Sequence, residues 1–203
     1  MVSVVVEGDT DLPVVRKLVK DAKLDIALEI DAGGKGQIDQ HFPGYNRSAK
    51  GAPWLVVRDL NSDAICAAKF LKGKPSPSKW MCFRIAVREL ESWLLADRDG
   101  FADFFDVPIA LLPEEPDKET DPTQTLVNVA RRSRSGSIRK RMIPKSGMQT
   151  SVGPLYEATI IEFAEQRWSL VRAARRSDSL RRARRALKAL GAAWGAYIAG
   201  VHG

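Results

Sequence analysis

Acidic residues follow three apolar segments in the first half of the sequence, and their spacing suits the binding of a divalent cation. The acids are Glu7, Asp9 and Asp11 after residues 2–6, Asp59 and Asp63 after residues 54–57, and Glu89 and Glu91 after residues 81–87. Mg²⁺ prefers oxygen ligands, and proteins usually hold it with a few carboxylates together with phosphate oxygens. Such an ion, or Mn²⁺ in its place, can polarise a phosphodiester and position water for in-line attack. The pattern therefore predicts a site for a hydrated metal ion that faces a phosphate group.

The same acids have a simpler explanation as helix caps. A single acid after a strand is most often a cap or a solvated turn residue, and residues 9–11 fit an N-cap well. Three successive strand ends with acids make that explanation less satisfactory for the whole set. Glu7 and Asp59 resemble caps least, because each directly follows a buried-strand pattern.

Clustered carboxylates repel one another, so cationic side chains or a metal ion are expected beside them. Lys35, Arg58 and Arg88 are the protein cations available near these segments. Lys35 belongs to the glycine-rich segment 33–36, whose backbone N–H groups could cradle a phosphate. The segment lacks the spacing of a P-loop, and a flexible surface turn is the simpler alternative.

The elements that would position these residues alternate along the chain. Strands are predicted at residues 2–6, 26–30, 54–57 and 81–87, and helical spacing follows the first, third and fourth of them. Strands that alternate with helices indicate an α/β fold with a mainly parallel sheet flanked by helices. Ligands bind beyond the carboxyl ends of the strands in such a sheet, which is where the acids lie.

The second half of the chain is rich in arginine. One cluster interleaves with serine and glycine, which is typical of an extended or adaptable arm that meets nucleic-acid phosphates. Its members are Arg131, Arg132, Arg134, Arg139, Lys140 and Arg141. A second basic series, residues 172–188, lies on a helical pattern, for which a solvated helix face is the alternative. We therefore predict an α/β core at residues 1–110 and a basic, mainly helical extension, packed on it, at residues 111–203.

Composition narrows the class of protein further. Lys and Arg outnumber Asp and Glu by 32 to 25 over 203 residues, which favours a polyanionic partner. Only two histidines are present, which argues against zinc chemistry and most histidine-based acid–base schemes, and two cysteines are too few for a disulfide framework. The first residues do not form a signal peptide, and no segment is long enough to span a bilayer. We expect a cytoplasmic protein without a membrane partner.

Two short motifs resemble the Toprim domain. They are Val4-Val-Val-Glu7-Gly8 with Asp11, and Leu55-Val-Val-Arg-Asp59-Leu-Asn61. The resemblance covers roughly the first half of the chain as a fold. The chain also resembles small bacterial Toprim-like proteins of unassigned function, related to overcoming-lysogenisation-defect nucleases, in which an acidic helix start is followed by tryptophan. Residues 88–93 have that pattern.

The resemblance implies Mg²⁺-dependent phosphodiester chemistry, with Mn²⁺ as a substitute. Glu7 would be the general base or metal-positioning acid and Asp59 a metal ligand, and the implied metal set is Glu7, Asp59, Asn61, Asp63 and Glu91. Asn61 replaces the second Asp of the family motif, so it offers an uncharged oxygen, which Asp63 could compensate. The basic residues that we predict to contact nucleic acid, from their charge, are Lys35, Arg58 and the cluster at residues 131–141.

We therefore expect a nuclease or a nuclease subunit. The resemblance also implies a role in defence against phages or mobile elements, and the analogy with small Toprim-like proteins implies a partner ATPase. The alternative is a non-catalytic nucleic-acid-binding module that works with such an ATPase. A third hypothesis is a phosphotransfer enzyme with Asp59 as nucleophile. The sequence does not decide whether the substrate is DNA or RNA, whether cleavage is endonucleolytic or exonucleolytic, or whether the protein is a monomer or a homodimer.

Overall fold

The computed structural model describes residues 1–201, and its contacts divide the chain into two compact units. The first unit comprises Met1–Ala86 together with the chain from Arg181 onward, and the second comprises Val87–Leu180. The boundary predicted at residue 110 falls inside the second unit. His202, the second histidine, lies outside the described residues.

The first unit is an α/β sandwich around one sheet, and it confirms the predicted fold class. Its four strands are parallel in the order β2-β1-β3-β4. Their bounds are β1 Val2–Val6, β2 Ile26–Asp31, β3 Trp54–Asp59 and β4 Met81–Ala86. The inner strands β1 and β3 are almost wholly buried, because helices cover both faces of a parallel sheet. The edge strand β2 is more polar and exposes Leu28.

Helices of the first unit follow the strands. They are α1 Leu12–Asp21 after β1, α2 Lys35–Ser48 after β2, and α3 Ala67–Leu71 after β3. The helix predicted after β3 is shorter than expected, and α2 was not predicted from the sequence. The long helix α10, Asp178–Val201, begins in the second unit and continues in the first. Within the first unit, Arg184 and Lys188 of this helix form ion pairs with Asp21 of α1 at 2.7 and 3.2 Å.

The second unit is helical. It contains α4 Leu90–Leu95, α5 Arg98–Phe105, α6 Pro122–Ala130, α7 Gly136–Met142, α8 Tyr156–Gln166 and α9 Leu170–Ala173. Its core is formed by the stacked rings of Phe101 and Phe105 with Phe163 against their edges. Asp97, wholly buried, accepts hydrogen bonds from the Arg172 guanidinium at 2.6 and 2.9 Å and ties α5 to α9.

The segment predicted as an extended basic arm is partly helical. Helix α7 occupies residues 136–142, Ser135 caps its N-terminus, and Ile138 and Met142 are buried beneath it. These residues are therefore helical rather than extended, since two apolar side chains four positions apart supply a helical face. Across residues 1–201, no helix is both long enough and apolar enough to cross a membrane.

Candidate functional site at the carboxyl end of the sheet

The carboxyl ends of β1 and β3 bring Glu7 and Asp59 together. The two strands are neighbours in parallel register, with Val5 opposite Val56. Glu7 follows β1 directly, and its Oε1 accepts the backbone N–H of Asp59, the last residue of β3, at 2.8 Å. Two residues that are 52 positions apart therefore share one point on the sheet edge.

Burial raises the pKa of the Glu7 carboxyl above its ordinary value. The backbone N–H of Asp59, the charges of Arg58 and Lys35, and the backbone N–H of Lys35 oppose this rise without cancelling it. A carboxyl group with a raised pKa holds a proton more readily than a solvated one, which suits a group that accepts a proton during a reaction.

A glycine turn places Lys35 beside Glu7. Gly33 and Gly34 have φ angles of +72° and +111°, which side-chain-bearing residues rarely adopt. The Gly34 N–H donates to the Glu7 carbonyl oxygen at 2.8 Å, and α2 begins at the next residue. The conformation of the turn therefore requires glycine, and it sets the start of α2 against the end of β1.

Arg58 is the buried centre of an ion-pair network. Its side chain is 3% exposed, and its guanidinium donates to both oxygens of Asp39 at 3.0 and 2.9 Å. The same group donates to Asp63 at 2.6 Å and to the carbonyl oxygen of Asp59 at 2.5 Å, and it lies over the ring of Phe70. Its donors are thus used inside the protein, which does not favour the predicted contact between Arg58 and nucleic acid.

Asp63 is engaged by two cations. Its Oδ1 accepts from the Lys35 ammonium at 2.9 Å and its Oδ2 from Arg58 at 2.6 Å. The hydrogen bond from Lys35 is the main cause that lowers the pKa of Asp63, and the contact with Arg58 adds to it. Both oxygens therefore have partners, so Asp63 is poorly suited to the metal ligation expected of it. The predicted pairing of clustered acids with Lys35 and Arg58 is confirmed.

Asn61, the residue that departs from the family motif, lies in a tight turn. Its φ angle is +46°, and the Asp63 N–H donates to the Leu60 carbonyl oxygen across the turn at 3.1 Å. Asparagine enters this left-handed region more readily than most residues. The turn therefore gives a conformational reason for asparagine at this position.

Glu91 belongs to the second unit. Its Oε1 accepts from the Tyr156 hydroxyl at 3.2 Å, while the neighbouring Glu89 accepts from the backbone N–H and hydroxyl of Thr123 at 3.1 and 2.9 Å. Burial, and secondarily the charge of Glu89, raises the pKa of Glu91. The contacts within its unit link α4 to α6 and α8.

The basic cluster at residues 131–141 falls into two groups. Arg134 pairs with Asp106 at 2.5 Å, Arg141 with Glu162 at 2.6 Å, and Arg139 donates to the carbonyl oxygen of Ser133. The remaining members of the cluster are exposed, and over residues 1–201 their side chains have no ion-pair partner: Arg131, Arg132 and Lys140. This second group is available for an external anion.

The described residues offer few side-chain ligands for a metal ion. Within residues 1–201, no group of three or more His, Cys, Asp or Glu side chains is arranged to hold one. Glu7 and Asp59 nevertheless offer carboxylates at neighbouring strand ends, and hydrated Mg²⁺ needs only one or two of these together with phosphate oxygens. Two carboxylates are therefore enough in number for a hydrated ion that substrate oxygens complete.

Sequence reasoning missed Asp39 and Lys74, which complete the network around Arg58. Asp39 lies one helical turn after Lys35, so a prediction of α2 would have placed both on one face. No family model, curated protein or solved structure matches the chain.

Proposed function

We propose that this protein hydrolyses phosphodiester bonds of nucleic acid with a divalent metal ion, as a Toprim-like nuclease or nuclease subunit. The observation that carries the proposal is the Glu7 carboxyl group. It has a raised pKa, lies where two parallel strands end, and is fixed by the Asp59 N–H. Ligands of open parallel sheets bind at this edge.

Glu7 and Asp59 are the residues that would hold Mg²⁺ or Mn²⁺. When bound, the ion would polarise the phosphodiester and offset the negative charge that develops on its oxygens. Glu7 is also the residue that would accept a proton from the attacking water. Lys35, 34% exposed and already near Glu7, draws the substrate phosphate to the sheet edge. Arg58 fixes the Asp59 peptide through its carbonyl oxygen.

The test compares two site variants with a matched control. Glu7→Gln and Asp59→Asn keep the shape of each side chain and remove its charge. Glu29→Gln makes the same change on the edge strand β2, where the carboxylate pairs with Arg16 on the surface. Cleavage of plasmid, single-stranded DNA and a tRNA pool is followed across Mg²⁺ and Mn²⁺ concentrations. Both site variants should lose at least about 100-fold in rate, the size of a lost acid–base contribution, while Glu29→Gln retains activity.

Cleavage that survives Glu7→Gln would remove Glu7 from the site. The resemblance also supports a partner ATPase and a setting in phage or mobile-element defence, so the assay is repeated with ATPases from neighbouring genes. Activity that needs such a partner would identify the chain as a nuclease subunit.

A non-catalytic nucleic-acid-binding module is the second candidate. The engagement of Asp63 by Lys35 and Arg58 favours it, because protein cations already neutralise part of the acidic cluster. The exposed Arg131, Arg132 and Lys140 would then provide the binding surface. Salt-dependent nucleic-acid binding without cleavage under any metal condition would support this candidate.

A further inference from the structure

Asp39 of α2 holds the Arg58 side chain in one orientation. One carboxylate oxygen of Asp39 accepts from Arg58 Nε at 3.0 Å, and the other accepts from Nη2 at 2.9 Å. Such a two-point pairing fixes the relative orientation of the carboxylate and the guanidinium, which a single hydrogen bond does not do. Asp63, by contrast, takes one hydrogen bond from Arg58 and another from Lys35. Asp39 is therefore the partner that sets the plane of the guanidinium.

The plane of the guanidinium decides where its remaining nitrogen points. The group is rigid and planar, so the pairing of Nε and Nη2 fixes the direction of Nη1. Nη1 donates to the carbonyl oxygen of Asp59 at 2.5 Å, and the Asp59 N–H donates to Glu7 Oε1 at 2.8 Å. Both main-chain polar groups of Asp59 are thus held in place. The hold on its carbonyl oxygen depends on Asp39, because Asp39 orients Arg58.

These contacts close a ring around the sheet edge within the first unit. The Gly34 N–H donates to the Glu7 carbonyl oxygen at 2.8 Å, which sets the start of α2 against the end of β1. Asp39 lies in the second turn of that helix and binds Arg58 of β3. The ring returns to Glu7 through the hydrogen bond from the Asp59 N–H. Asp39 is the side chain that closes the ring between α2 and β3.

We propose that Asp39 is a positioning residue of the candidate metal site. Through Arg58, it keeps the Asp59 main chain, and with it the Asp59 carboxylate, in place for Mg²⁺ or Mn²⁺. The inference deepens the proposed function, because it rests on Asp59 as a holder of the metal ion. Groups that orient metal ligands without touching the metal contribute about 10–100-fold to metal affinity or activity. Asp39 acts through one more residue than such groups do, so we expect the lower end of that range, about tenfold.

Asp21 offers a matched control in the same unit. Like Asp39, it binds Nε and one Nη of a single arginine, in this case Arg184, at 2.7 and 3.0 Å, and it has a lysine, Lys188, at 3.2 Å. Asp21 ends α1, a helix of 10 residues that begins shortly after Glu7 and is about 15 Å long. Asp39→Asn and Asp21→Asn therefore remove the same charge from similar ion pairs, one beside the candidate site and one away from it. Asparagine keeps an oxygen acceptor for the arginine, so both variants should fold, which thermal unfolding verifies.

The affinity for Mn²⁺ tests the metal side of the proposal. Binding is measured without substrate, from the electron paramagnetic resonance signal of free Mn²⁺. Asp39→Asn should raise the dissociation constant about tenfold, while Asp21→Asn should leave it unchanged. In an Arg58→Met background, Asp39→Asn should have no further effect, since the two residues act as one unit. A further loss of about tenfold in that background would overturn the action through Arg58.

Hydrogen exchange of the Asp59 amide tests the positioning without metal, substrate or catalysis. This N–H donates to Glu7, so a less firmly held Asp59 should open the hydrogen bond more often and exchange faster. Asp39→Asn should accelerate exchange several-fold, and by more than it does at Val5 in the interior of β1, which reports on general destabilisation. Asp21→Asn should give no such selective acceleration.

Two results would overturn the positioning role. One is equal exchange of the Asp59 amide in Asp39→Asn and Asp21→Asn, whether or not the protein cleaves nucleic acid. The other is equal Mn²⁺ affinity of these two variants, where the wild-type protein binds Mn²⁺. A wild-type protein that neither binds Mn²⁺ nor cleaves nucleic acid, combined with selectively faster exchange in Asp39→Asn, would refute the proposed function and support the positioning of Asp59 by Asp39.

Discussion

The Arg58 network should stabilise the first unit far more than a surface ion pair does. The perturbation is Arg58→Met, which keeps most of the apolar stem against Phe70 and removes the guanidinium. The guanidinium has three acceptor groups: the carboxylates of Asp39 and Asp63, and the Asp59 carbonyl oxygen. Its burial excludes water from replacing those bonds directly.

The expected loss of stability depends on how deeply Arg58 and its carboxylate partners are buried. Removing one partner of a fully buried ion pair costs about 3–5 kcal/mol. Here Arg58 is 3% exposed, but Asp39 and Asp63 are 34% and 29% exposed and keep Lys74 and Lys35 as neighbours. Solvent and these lysines offset part of the loss, so we expect about 2–3 kcal/mol. For a chain of this size that is roughly 4–12 °C in Tm.

Urea and thermal unfolding of Arg58→Met are measured beside Arg16→Met. Arg16 also binds both oxygens of a carboxylate, that of Glu29, at 2.7 and 2.6 Å, but its side chain is 48% exposed. Surface pairs contribute about 0–1 kcal/mol, so the control should lose at most that. The two arginines therefore differ in burial and in the number of acceptor groups that each binds.

The pH dependence adds a second criterion. The pKa of Asp63 is lowered by Lys35 and Arg58, so its stabilising contribution is present above the ordinary aspartate pKa and is lost as pH falls through the lowered value. Arg58→Met should lose less stability on acidification in that range than the wild-type protein does. Equal losses for Arg58→Met and Arg16→Met at neutral pH would refute the reasoning that burial makes this network strong.

Further predictions concern four single positions. Because the pKa of Glu7 is raised, ionisation of this residue lowers the stability of the protein as pH rises above the ordinary glutamate pKa. In urea unfolding at pH 7, Glu7→Gln should therefore be at least as stable as the wild-type protein. A loss of more than about 1 kcal/mol in the free energy of unfolding would contradict this. In α10, Gly195→Ala should raise the free energy of unfolding by about 1 kcal/mol, since nothing lies near the added methyl group. Gly191→Ala should lower the free energy of unfolding by about 1–3 kcal/mol, because the added methyl group would lie 2.8 Å from the Ala22 carbonyl oxygen. Equal effects of the two glycine substitutions would refute this packing argument. Asn61→Asp should preserve the turn and lower the Mg²⁺ concentration needed for half-maximal cleavage, whereas a less stable, metal-insensitive variant would indicate a purely structural acidic cluster.

Periodicity in the sequence was sufficient for most of the sheet. The uncharged β-branched run 2–6 and the apolar run before Asp59 correspond closely to β1 and β3, because buried parallel strands need continuous apolar sequence. Helix α2 could not be predicted in the same way. Gly36, Pro43 and Gly44 lower its intrinsic helix propensity, so the helix depends on tertiary contacts, among them the packing of Ile38 and Phe42.

Residue type and position predicted that acids and cations would meet at the sheet edge, and the contact of Glu7 with Asp59 agrees with that expectation. The sequence could not determine which acids each cation would engage. That choice depends on distances between segments far apart in the chain: Lys35 and Asp63 are 28 positions apart, and Arg58 and Asp39 are 19 apart.

The same division holds for the basic cluster. The sequence determined that residues 131–141 are rich in arginine, and charge alone made all of them equal candidates for phosphate binding. Tertiary structure separated Arg134, which faces Asp106, from Arg131 and Arg132, which face solvent. The physical reason is that charge is a property of the residue, whereas its availability depends on whether folding brings an opposite charge within about 4 Å.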